Sequence, residues 1–229
     1  MDRILTVTGL AKLSVAPDTI VLWMNTQYKN EDYDEAMRLS AEGTETLRAA
    51  LEAAGFDGAE LKTADFNINP EYEGRQDTMT GAYSRRFIGY CACHRMKITF
   101  PAENALLGKA LAAVMSSGAA PEFGINYTVK DTESVKNELI KKAVADSRKK
   151  AEILAEAAGV RLGPIASINY SWSSLELVSN RMSMDAVPLM AAKTAAPAMN
   201  IEPEDIDVSD TVTVIWPFTP TGGAYALQS

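Results

Sequence analysis

The longest uninterrupted helical pattern in the chain, over residues 131–159, restricts most strongly the folds that the sequence can adopt. Small and apolar residues recur three or four positions apart along one side of this helix: Ile140, Ala143, Val144, Ser147, Ala151, Leu154 and Ala158. We predict Asp131 as its N-cap and Gly159 as its left-handed C-cap. Because this side consists mainly of Ala and Ser, a sheet or second helix can approach the helix backbone closely.

The other side of the same helix carries charged residues, among them Lys141-Lys142 and Arg148-Lys149-Lys150. We interpret this run as a solvated face rather than as a binding patch. Asp146 and Lys150 have the spacing of an i,i+4 ion pair.

Shorter patterns predict two further helices and several strands. One helix begins at Asp32, with Glu35 completing a capping box, and ends at Gly55; a shorter helix contains residues 106–114 and ends at Gly118. The predicted strands cover residues 4–15, 20–28, 61–72, 85–100, 123–129, 165–172 and 208–218. In the first strand the odd-numbered residues from Leu5 to Val15 are apolar or small, and in the fourth the apolar residues share one face, predicted to be the core face: Ile88, Tyr90, Ala92, Met96, Ile98 and Phe100. The first two strands are expected to adjoin through a bulge or tight turn at Pro17, and residues 73–83 are expected to form a loop.

The order of these elements predicts an α+β fold, a mostly antiparallel sheet packed by two long helices and one shorter helix. The segment Glu-Ala-Ala-Gly ends both long helices, at residues 52–55 and 156–159, and suggests an internal helix–strand repeat. We predict a single domain over residues 1–218, with sub-units 1–100 and 101–218. Residues 179–207 are predicted to form a mobile Met-, Ala- and Pro-rich excursion, and residues 219–229 a flexible tail.

The charge of the chain argues against a nucleic-acid partner, because phosphate recognition needs clustered Lys and Arg and the net charge is -8. No apolar run approaches the roughly 20 residues of a membrane-spanning helix. The first residues show no export signal, which predicts a cytoplasmic protein or, if a signal was removed, a periplasmic or exported one.

The most reactive-looking cluster is Cys91-Ala92-Cys93-His94. In a strand, Cys91 and Cys93 point to one face and His94 to the other, so the three side chains cannot close on one metal ion. We interpret the cysteines as buried or half-buried thiols, with a redox or metal site as the alternative. His94 is the only histidine; we predict a hydrogen-bonded imidazole in the core, and a Ser-His or Cys-His mechanism would depend on it.

Two other groups of residues suggest ligands without defining a site. Four methionines of the excursion could offer thioethers to Cu(I), although an adaptable contact surface is the more common role: Met182, Met184, Met190 and Met199. Trp23, Tyr90 and Trp172 could line a pocket for a small molecule or a peptide. The sequence contains no phosphate-binding, dinucleotide-binding, zinc-protease or serine-hydrolase motif.

The order and spacing of several short motifs resemble the SIMPL-domain family, which includes bacterial periplasmic immunogenic and stress-defence proteins. The resemblance covers about residues 4 to 218 and rests on the following: Val7-Thr8-Gly9, Val15-Ala16-Pro17-Asp18, Ala50-Leu51, Gly55, Thr63, Pro70, Tyr72, Gly89-Tyr90, Ala143, Asp146-Ser147-Arg148, Lys150-Ala151-Glu152, Gly159 and Gly163. It implies non-enzymatic proteins, some linked to oxidative-stress defence and some forming large closed homo-oligomers. It supplies no catalytic residue.

Together these observations predict a non-catalytic protein without metal or cofactor that assembles with copies of itself. Exposed strand edges or the Met-rich excursion would provide the contacts, in a role related to stress defence or cell-envelope maintenance. A binding module for a small molecule or peptide is the alternative, and a thiol-based redox or metal-binding protein is a third hypothesis.

Overall fold

The computed structural model describes residues 3–76, 83–171, 177–178, 182–183 and 201–221. Within them the chain forms three α-helices and nine strands in two sheets, and every strand pair is antiparallel. The predicted α+β class is confirmed. The helices are α1 (Tyr33–Ala53), α2 (Asn104–Ser116) and α3 (Thr132–Ala157); the strands are β1 (Ile4–Val15), β2 (Thr19–Asn30), β3 (Lys62–Gln76), β4 (Tyr83–Pro101), β5 (Glu122–Thr128), β6 (Val160–Leu162), β7 (Ser167–Asn169), β8 (Met182–Ser183) and β9 (Ile206–Pro220).

The chain divides into two compact units that each combine distant segments. The described residues of unit 1 are 3–16, 129–171, 177 and 205–221, and those of unit 2 are 17–76, 83–128, 178, 182–183 and 201–204. β1 therefore lies in one sheet and β2 in the other. The prediction that they adjoin through a bulge or tight turn is wrong, because each strand pairs with a distant part of the chain.

Unit 1 is a sheet of β1, β9, β6 and β7, with α3 packed against it. The odd-numbered residues of β1 face the core and the even-numbered residues are exposed, as its alternation predicts. Its pairing with β9 is continuous from Ile4–Pro217 to Val15–Ile206. The buried core consists of Val7, Ala11, Val129, Leu139, Ala143, Ala151, Leu177, Ile206, Val208, Val212, Val214 and Trp216.

Helix α3 packs closely on β1 through small residues, as predicted. A β-carbon added at Gly9 would overlap the carbonyl oxygen of Ala143 and lie 2.6 Å from the backbone nitrogen of Ser147. The caps are also as predicted, because the Asp131 side chain accepts a hydrogen bond from the Ser134 amide and Gly159 has a φ of 65°.

The predicted apolar side of α3 is only partly correct. The buried residues recur every four positions: Leu139, Ala143, Ser147, Ala151 and Ala155. Leu154 and Ala158 are exposed, and Ile140 and Val144 are half-buried. Residues that recur every four positions lie along a line that winds slowly around the helix, whereas the predicted residues alternate steps of three and four and stay on one side. The two sets therefore separate near the end of α3, where the sheet covers Ala155 and leaves Leu154 exposed.

Unit 2 is a sheet in the order β3-β4-β2-β5-β8, with α1 and α2 packed on one face. Alternate side chains of β2 and β4 supply the sheet side of its core, including Leu22, Met24, Met96 and Ile98, which are almost fully buried. Leu47 and Leu51 of α1 and Leu107 and Val114 of α2 supply the helix side.

The start of α1 forms half of the predicted capping box. The Asp32 side chain accepts a hydrogen bond from the Glu35 amide at 2.9 Å. The reciprocal bond, from the Asp32 amide to the Glu35 carboxylate, is not formed in the described helix. The Glu35 carboxylate binds the Arg38 guanidinium instead, and the Asp32 amide donates to the Asn30 side chain. The helix ends before Gly55, whose φ is 94°.

Several predicted strand limits are wrong. The expected loop over residues 73–83 is strand at both ends, because β3 reaches Gln76 and β4 begins at Tyr83. The strand predicted over residues 165–172 is reduced to Ser167–Asn169, and β6 precedes it. β9 begins at Ile206 and continues to Pro220. Most of the predicted excursion and residues 222–229 of the predicted tail lie outside the described residues.

The helices of the described part are too short or too polar to cross a lipid bilayer. This agrees with the absence of a long apolar run in the sequence.

Candidate functional site

The structure separates the thiols of the Cys91–His94 segment from its imidazole. The Cys91 and Cys93 sulfur atoms lie 3.4 Å apart on one face of β4. His94 points to the opposite face, which packs against α1, and is buried. The alternation predicted for the three side chains is confirmed.

His94 lies between two threonines in the core of unit 2. Its Nδ1 is 2.9 Å from Thr44 Oγ1, and its Nε2 is 2.8 Å from Thr63 Oγ1. The Thr44 hydroxyl donates its only proton to the Ser40 carbonyl oxygen, so Nδ1–H must donate to Thr44 and Nε2 must accept from Thr63. Burial lowers the pKa of His94, so the neutral imidazole satisfies both partners at neutral pH.

The two thiols lie on the outer face of the sheet beneath an ion pair. Cys91 has two register partners, Lys29 of β2 on one side and Asn69 of β3 on the other. Glu71 of β3 lies two residues beyond Asn69. The Lys29 ammonium contacts the Glu71 carboxylate at 2.7 Å, so the pair crosses β4 beside Cys91. Cys91 is 4% exposed, whereas Cys93 is half-buried.

The surroundings of Cys91 keep its thiol protonated. Burial raises the pKa of Cys91 to about 11, and the hydrogen bond with Cys93 and the Glu71 charge act in the same direction against the opposing Lys29 charge. The thiolate is the nucleophilic form of cysteine. Cys91 is therefore a poor nucleophile at neutral pH.

The β3–β4 hairpin extends beyond the rest of its sheet. β2 pairs with β4 only as far as Tyr90, so among the described residues β3 is the sole strand partner of β4 from Tyr83 to Gly89. We call residues 71–76 and 83–89 the arm. A two-stranded ribbon has little intrinsic stability in water.

Aromatic side chains form a row from the base of the arm along its length. Tyr33 contacts Tyr90 at a ring-centroid distance of 5.4 Å, Tyr90 contacts Phe87 at 5.2 Å, and Phe87 contacts Tyr72 at 5.8 Å. The Arg85 guanidinium lies 5.0 Å from the centroid of the Tyr72 ring. Tyr72 and Phe87 remain 47% and 42% exposed.

A register shift between Glu71 and Tyr72 produces this row. Glu71 pairs with Gly89 and Tyr72 with Phe87, so Ile88 has no opposite residue. Gly89 has a φ of 137°, and an added β-carbon there would lie 2.5 Å from the Asn30 carbonyl oxygen. The shift brings Phe87 to the same side as Tyr90 and leaves Ile88, predicted on the core face, 43% exposed.

The outer edge of β3 is open along the arm. Within the described residues β3 pairs with β4 alone. Pro70 cannot donate a hydrogen bond, and proline in a strand typically turns its nitrogen to the free edge. A further strand is therefore disfavoured at Pro70 but not between Glu71 and Gln76.

The other predicted site residues are not brought together. Trp23 pairs with Lys97 on the outer face, where the Lys97 ammonium lies 5.4 Å from its ring, whereas Tyr90 pairs with Asn30 and contacts Tyr33 of α1 on the other side. Trp172 lies outside the described residues. The same is true of Met184, Met190 and Met199, and only the backbone of Met182 is described, in β8.

Within the described part of the chain no three His, Cys, Asp or Glu side chains are grouped to hold a metal ion. A shallow cavity of about 330 Å³ lies in unit 2 between the end of α1 and the start of α2, with Phe56, Phe100 and Leu106 in its wall. None of the predicted site residues lines it.

Sequence reasoning missed the arm and the ion pair over Cys91. The arm was hidden because residues 73–83 are polar and contain glycine, although Tyr72 and Phe87 flank them and are typical strand residues. The ion pair depends on the register of three strands, which no local pattern records.

Comparison with known proteins gives relatives over most of the chain. The 26 kDa periplasmic immunogenic proteins of Brucella melitensis and Brucella abortus are 29% and 28% identical to it over 163 residues, 71% of this chain. The match spans 64% of the length of each Brucella protein. The uncharacterized protein YggE of Edwardsiella ictaluri is 24% identical over 212 residues, 91% of this chain and 84% of that protein.

The family comparison agrees with the motifs. Residues 5–216, which include the arm and most of both units, match the model of a protein family of unknown function, DUF541. The chain belongs to this family, the SIMPL family.

Proposed function

We propose that the protein is a non-catalytic assembly protein whose arm joins copies of the chain into a closed homo-oligomer. The observation that carries this proposal is the arm itself, a two-stranded ribbon with exposed Tyr72, Phe87 and Ile88. Such side chains on a weakly stable ribbon are typical of surfaces that another protein covers.

A second copy of the chain fits the arm better than a strongly charged partner. Glu73 faces Arg86 across the ribbon, so the arm carries charges of both signs. The edge of β3 beyond Pro70 offers backbone donors and acceptors that an identical strand in antiparallel orientation can pair with. Pairing of two identical antiparallel strands has two-fold symmetry, so this contact closes on itself as a dimer, and a larger closed assembly uses a second contact.

The surroundings of His94 and Cys91 support a role without catalysis. Both ring nitrogens of His94, the only histidine, are engaged by Thr44 and Thr63. The Cys91 thiol is kept protonated by burial. A Ser-His or Cys-His mechanism would need one of these groups to be accessible and titratable.

We propose the periplasm as the location and cell-envelope maintenance or stress defence as the role. The two Brucella relatives are described as periplasmic, whereas none of the comparisons supports the cytoplasmic location predicted from the first residues.

Light scattering after size-exclusion chromatography tests the proposal. The wild-type chain of 24.7 kDa is expected to elute as a discrete multimer. Tyr72→Ser combined with Phe87→Ser is expected to reduce the mass toward that of one chain, because the variant lacks the largest exposed apolar surface of the arm.

The matched control is Ile153→Ser, because Ile153 is 56% exposed on α3, which belongs to unit 1 and not to the arm. This variant should retain the wild-type mass. A monomeric wild-type protein at micromolar concentration, or an arm variant that keeps the wild-type mass, would contradict the proposal.

The alternative of a binding module has weaker support. Trp23 and Tyr90 lie on opposite faces of the sheet, so they cannot line one pocket. Tryptophan fluorescence titrated with a panel of metabolites, lipids and peptides separates this alternative from assembly, since a saturable response would favour a binding module.

A further inference from the structure

We propose that Cys91 and Cys93 form a dithiol site that captures trivalent arsenic compounds through two As–S bonds. The site lies on the outer face of the unit 2 sheet, and the proposal does not depend on self-assembly. It concerns the two cysteines of the chain, which the proposed function leaves without a role.

The sulfur atoms already have the separation that a one-atom bridge requires. They lie 3.4 Å apart, close to van der Waals contact. Trivalent arsenic is pyramidal with a narrow S–As–S angle, so it holds two sulfur atoms near this separation. β4 is hydrogen-bonded on both sides, to β2 and β3, which fixes the two cysteine backbones in place.

The same rigidity disfavours a disulfide between these cysteines. Because Cys91 and Cys93 are two residues apart in a strand, their Cα atoms are separated by about 6.6 Å. This is close to the upper limit of roughly 6.8 Å for disulfides, whose sulfur atoms approach to about 2.05 Å. An arsenic atom between the two sulfur atoms avoids the distortion of β4 that a disulfide bond would require.

Divalent metal ions fit the pair less well. Structural zinc takes four ligands, and among the described residues no third His, Cys, Asp or Glu is grouped with the two sulfurs to hold a metal ion; the nearby Glu71 carboxylate is paired with Lys29. A metal would also need two thiolates, and burial raises the pKa of Cys91 to about 11.

Capture by arsenic requires no ionised product and no oxidant. A compound R–As(OH)₂ reacts with the two thiols in two substitutions, each forming one As–S bond and breaking one As–O bond. Each thiol proton leaves with the departing hydroxide as water, and the oxidation states of arsenic and sulfur do not change. The product R–As(S-Cys)₂ is neutral, so it adds no charge beside the Lys29–Glu71 pair.

The exposure of the two sulfurs sets the order of reaction. Cys93 is half-buried and can meet the reagent first, whereas Cys91 is 4% exposed beneath the ion pair. The first As–S bond then makes the attack of Cys91 intramolecular, so the Cys91 thiol has a large effective concentration at the arsenic atom.

Intact-protein mass spectrometry with phenylarsine oxide, in excess glutathione, tests the site. The wild-type protein is expected to gain one phenylarsenic group and lose two hydrogens. Cys91→Ser and Cys93→Ser should each reduce capture at least tenfold, because a single thiol cannot compete with the monothiol in solution. Sodium arsenite should protect the wild-type protein from the reagent, and 2,3-dimercaptopropanol should reverse the adduct.

Two further measurements complete the test: circular dichroism of the variants and oxidation of the wild-type protein by oxidised glutathione. Circular dichroism must show that both serine variants are folded, and Cys93→Ser is the safer variant because its side chain is less buried. Equal capture by the wild-type protein and a single-cysteine variant would overturn the proposal. Failure of the wild-type protein to form the adduct, together with conversion to an intramolecular disulfide by oxidised glutathione, would overturn it in favour of a redox pair.

Discussion

Gly9 of β1 lies so close to Ser147 of α3 that an added β-carbon would be 2.6 Å from the Ser147 amide nitrogen and 2.8 Å from its Cβ. These are backbone and rigidly attached atoms, so they cannot rotate away. The contact fixes the distance between α3 and its sheet, and it explains why the buried side of the helix from Ala143 to Ala155 consists of Ala and Ser.

We therefore expect Gly9→Ala to destabilise unit 1 by about 1–3 kcal/mol, since it overpacks a closed interface. Urea unfolding measures the loss. The control is Gly108→Ala in α2, where an added β-carbon meets nothing within 4 Å. That change should be neutral or stabilise by up to about 1 kcal/mol, because alanine favours a helix; equal losses at the two positions would refute the close contact.

His94 should make stability depend on pH. Burial lowers its pKa, and Thr26, Thr44, Thr63 and Phe66 around it supply no opposite charge. The unfolded chain therefore binds a proton more readily, so stability is complete above a pH of about 6.5 and falls as the pH decreases through that value toward the folded-state pKa.

The measurement is the free energy of unfolding of the wild-type protein and His94→Gln at about pH 7.5 and about pH 5.5. The glutamine amide can donate and accept hydrogen bonds without titrating. We expect the wild-type protein to lose stability over this interval and the variant to lose less. Identical slopes would show that His94 does not determine the pH dependence.

Asp146 should protect one amide at the free edge of β1. Its carboxylate accepts hydrogen bonds from the Leu10 amide at 2.8 Å and from Lys150 at 2.7 Å. The Lys150 bond and then the Leu10 bond lower the pKa of Asp146, so the contact should persist in mild acid and be lost when the pH falls below the usual carboxyl range.

Hydrogen exchange at Leu10 measures this contact. Asp146→Ala should accelerate exchange of the Leu10 amide, whereas Glu152→Ala, which removes a partner of Arg148 on the same helix, should leave it unchanged. Unchanged exchange in Asp146→Ala would mean that another group protects the edge.

The alternation of apolar residues predicted structure wherever a strand has one buried face. The odd-numbered residues of β1 and the side chains Ala92, Met96 and Ile98 of β4 lie where the pattern placed them. The pattern failed in the arm, because both faces of the ribbon are exposed and burial no longer selects alternate residues. It also failed at Leu154, since the extent of the sheet decides which helix residues are covered.

The sequence likewise predicted only part of the candidate site. Local geometry was sufficient to place Cys91 and Cys93 on one face and His94 on the other. The Lys29–Glu71 pair and the tyrosine and phenylalanine row depend on the register among β2, β3 and β4 and on the shift at Gly89. Such contacts join residues distant in sequence, and a single sequence contains no local signal for them.

Gly89 should control the position of the arm. Its φ of 137° suits glycine alone, and an added β-carbon would contact the Asn30 carbonyl oxygen. Gly55 has a φ of 94° with no neighbour within 4 Å, so Gly55→Ala isolates the backbone strain, about 1–2 kcal/mol. Urea unfolding should show a larger loss for Gly89→Ala, and an equal or smaller loss would contradict the assigned contact.

The most direct test of the assembly account is hydrogen exchange in the arm, followed by mass spectrometry of peptides at protein concentrations above and below the dissociation range. Residues 71–76 and 83–89 should exchange more slowly at high concentration, and the Tyr72→Ser, Phe87→Ser variant should lose that dependence. Arm exchange that is the same at all concentrations, while other surfaces become protected, would contradict the account.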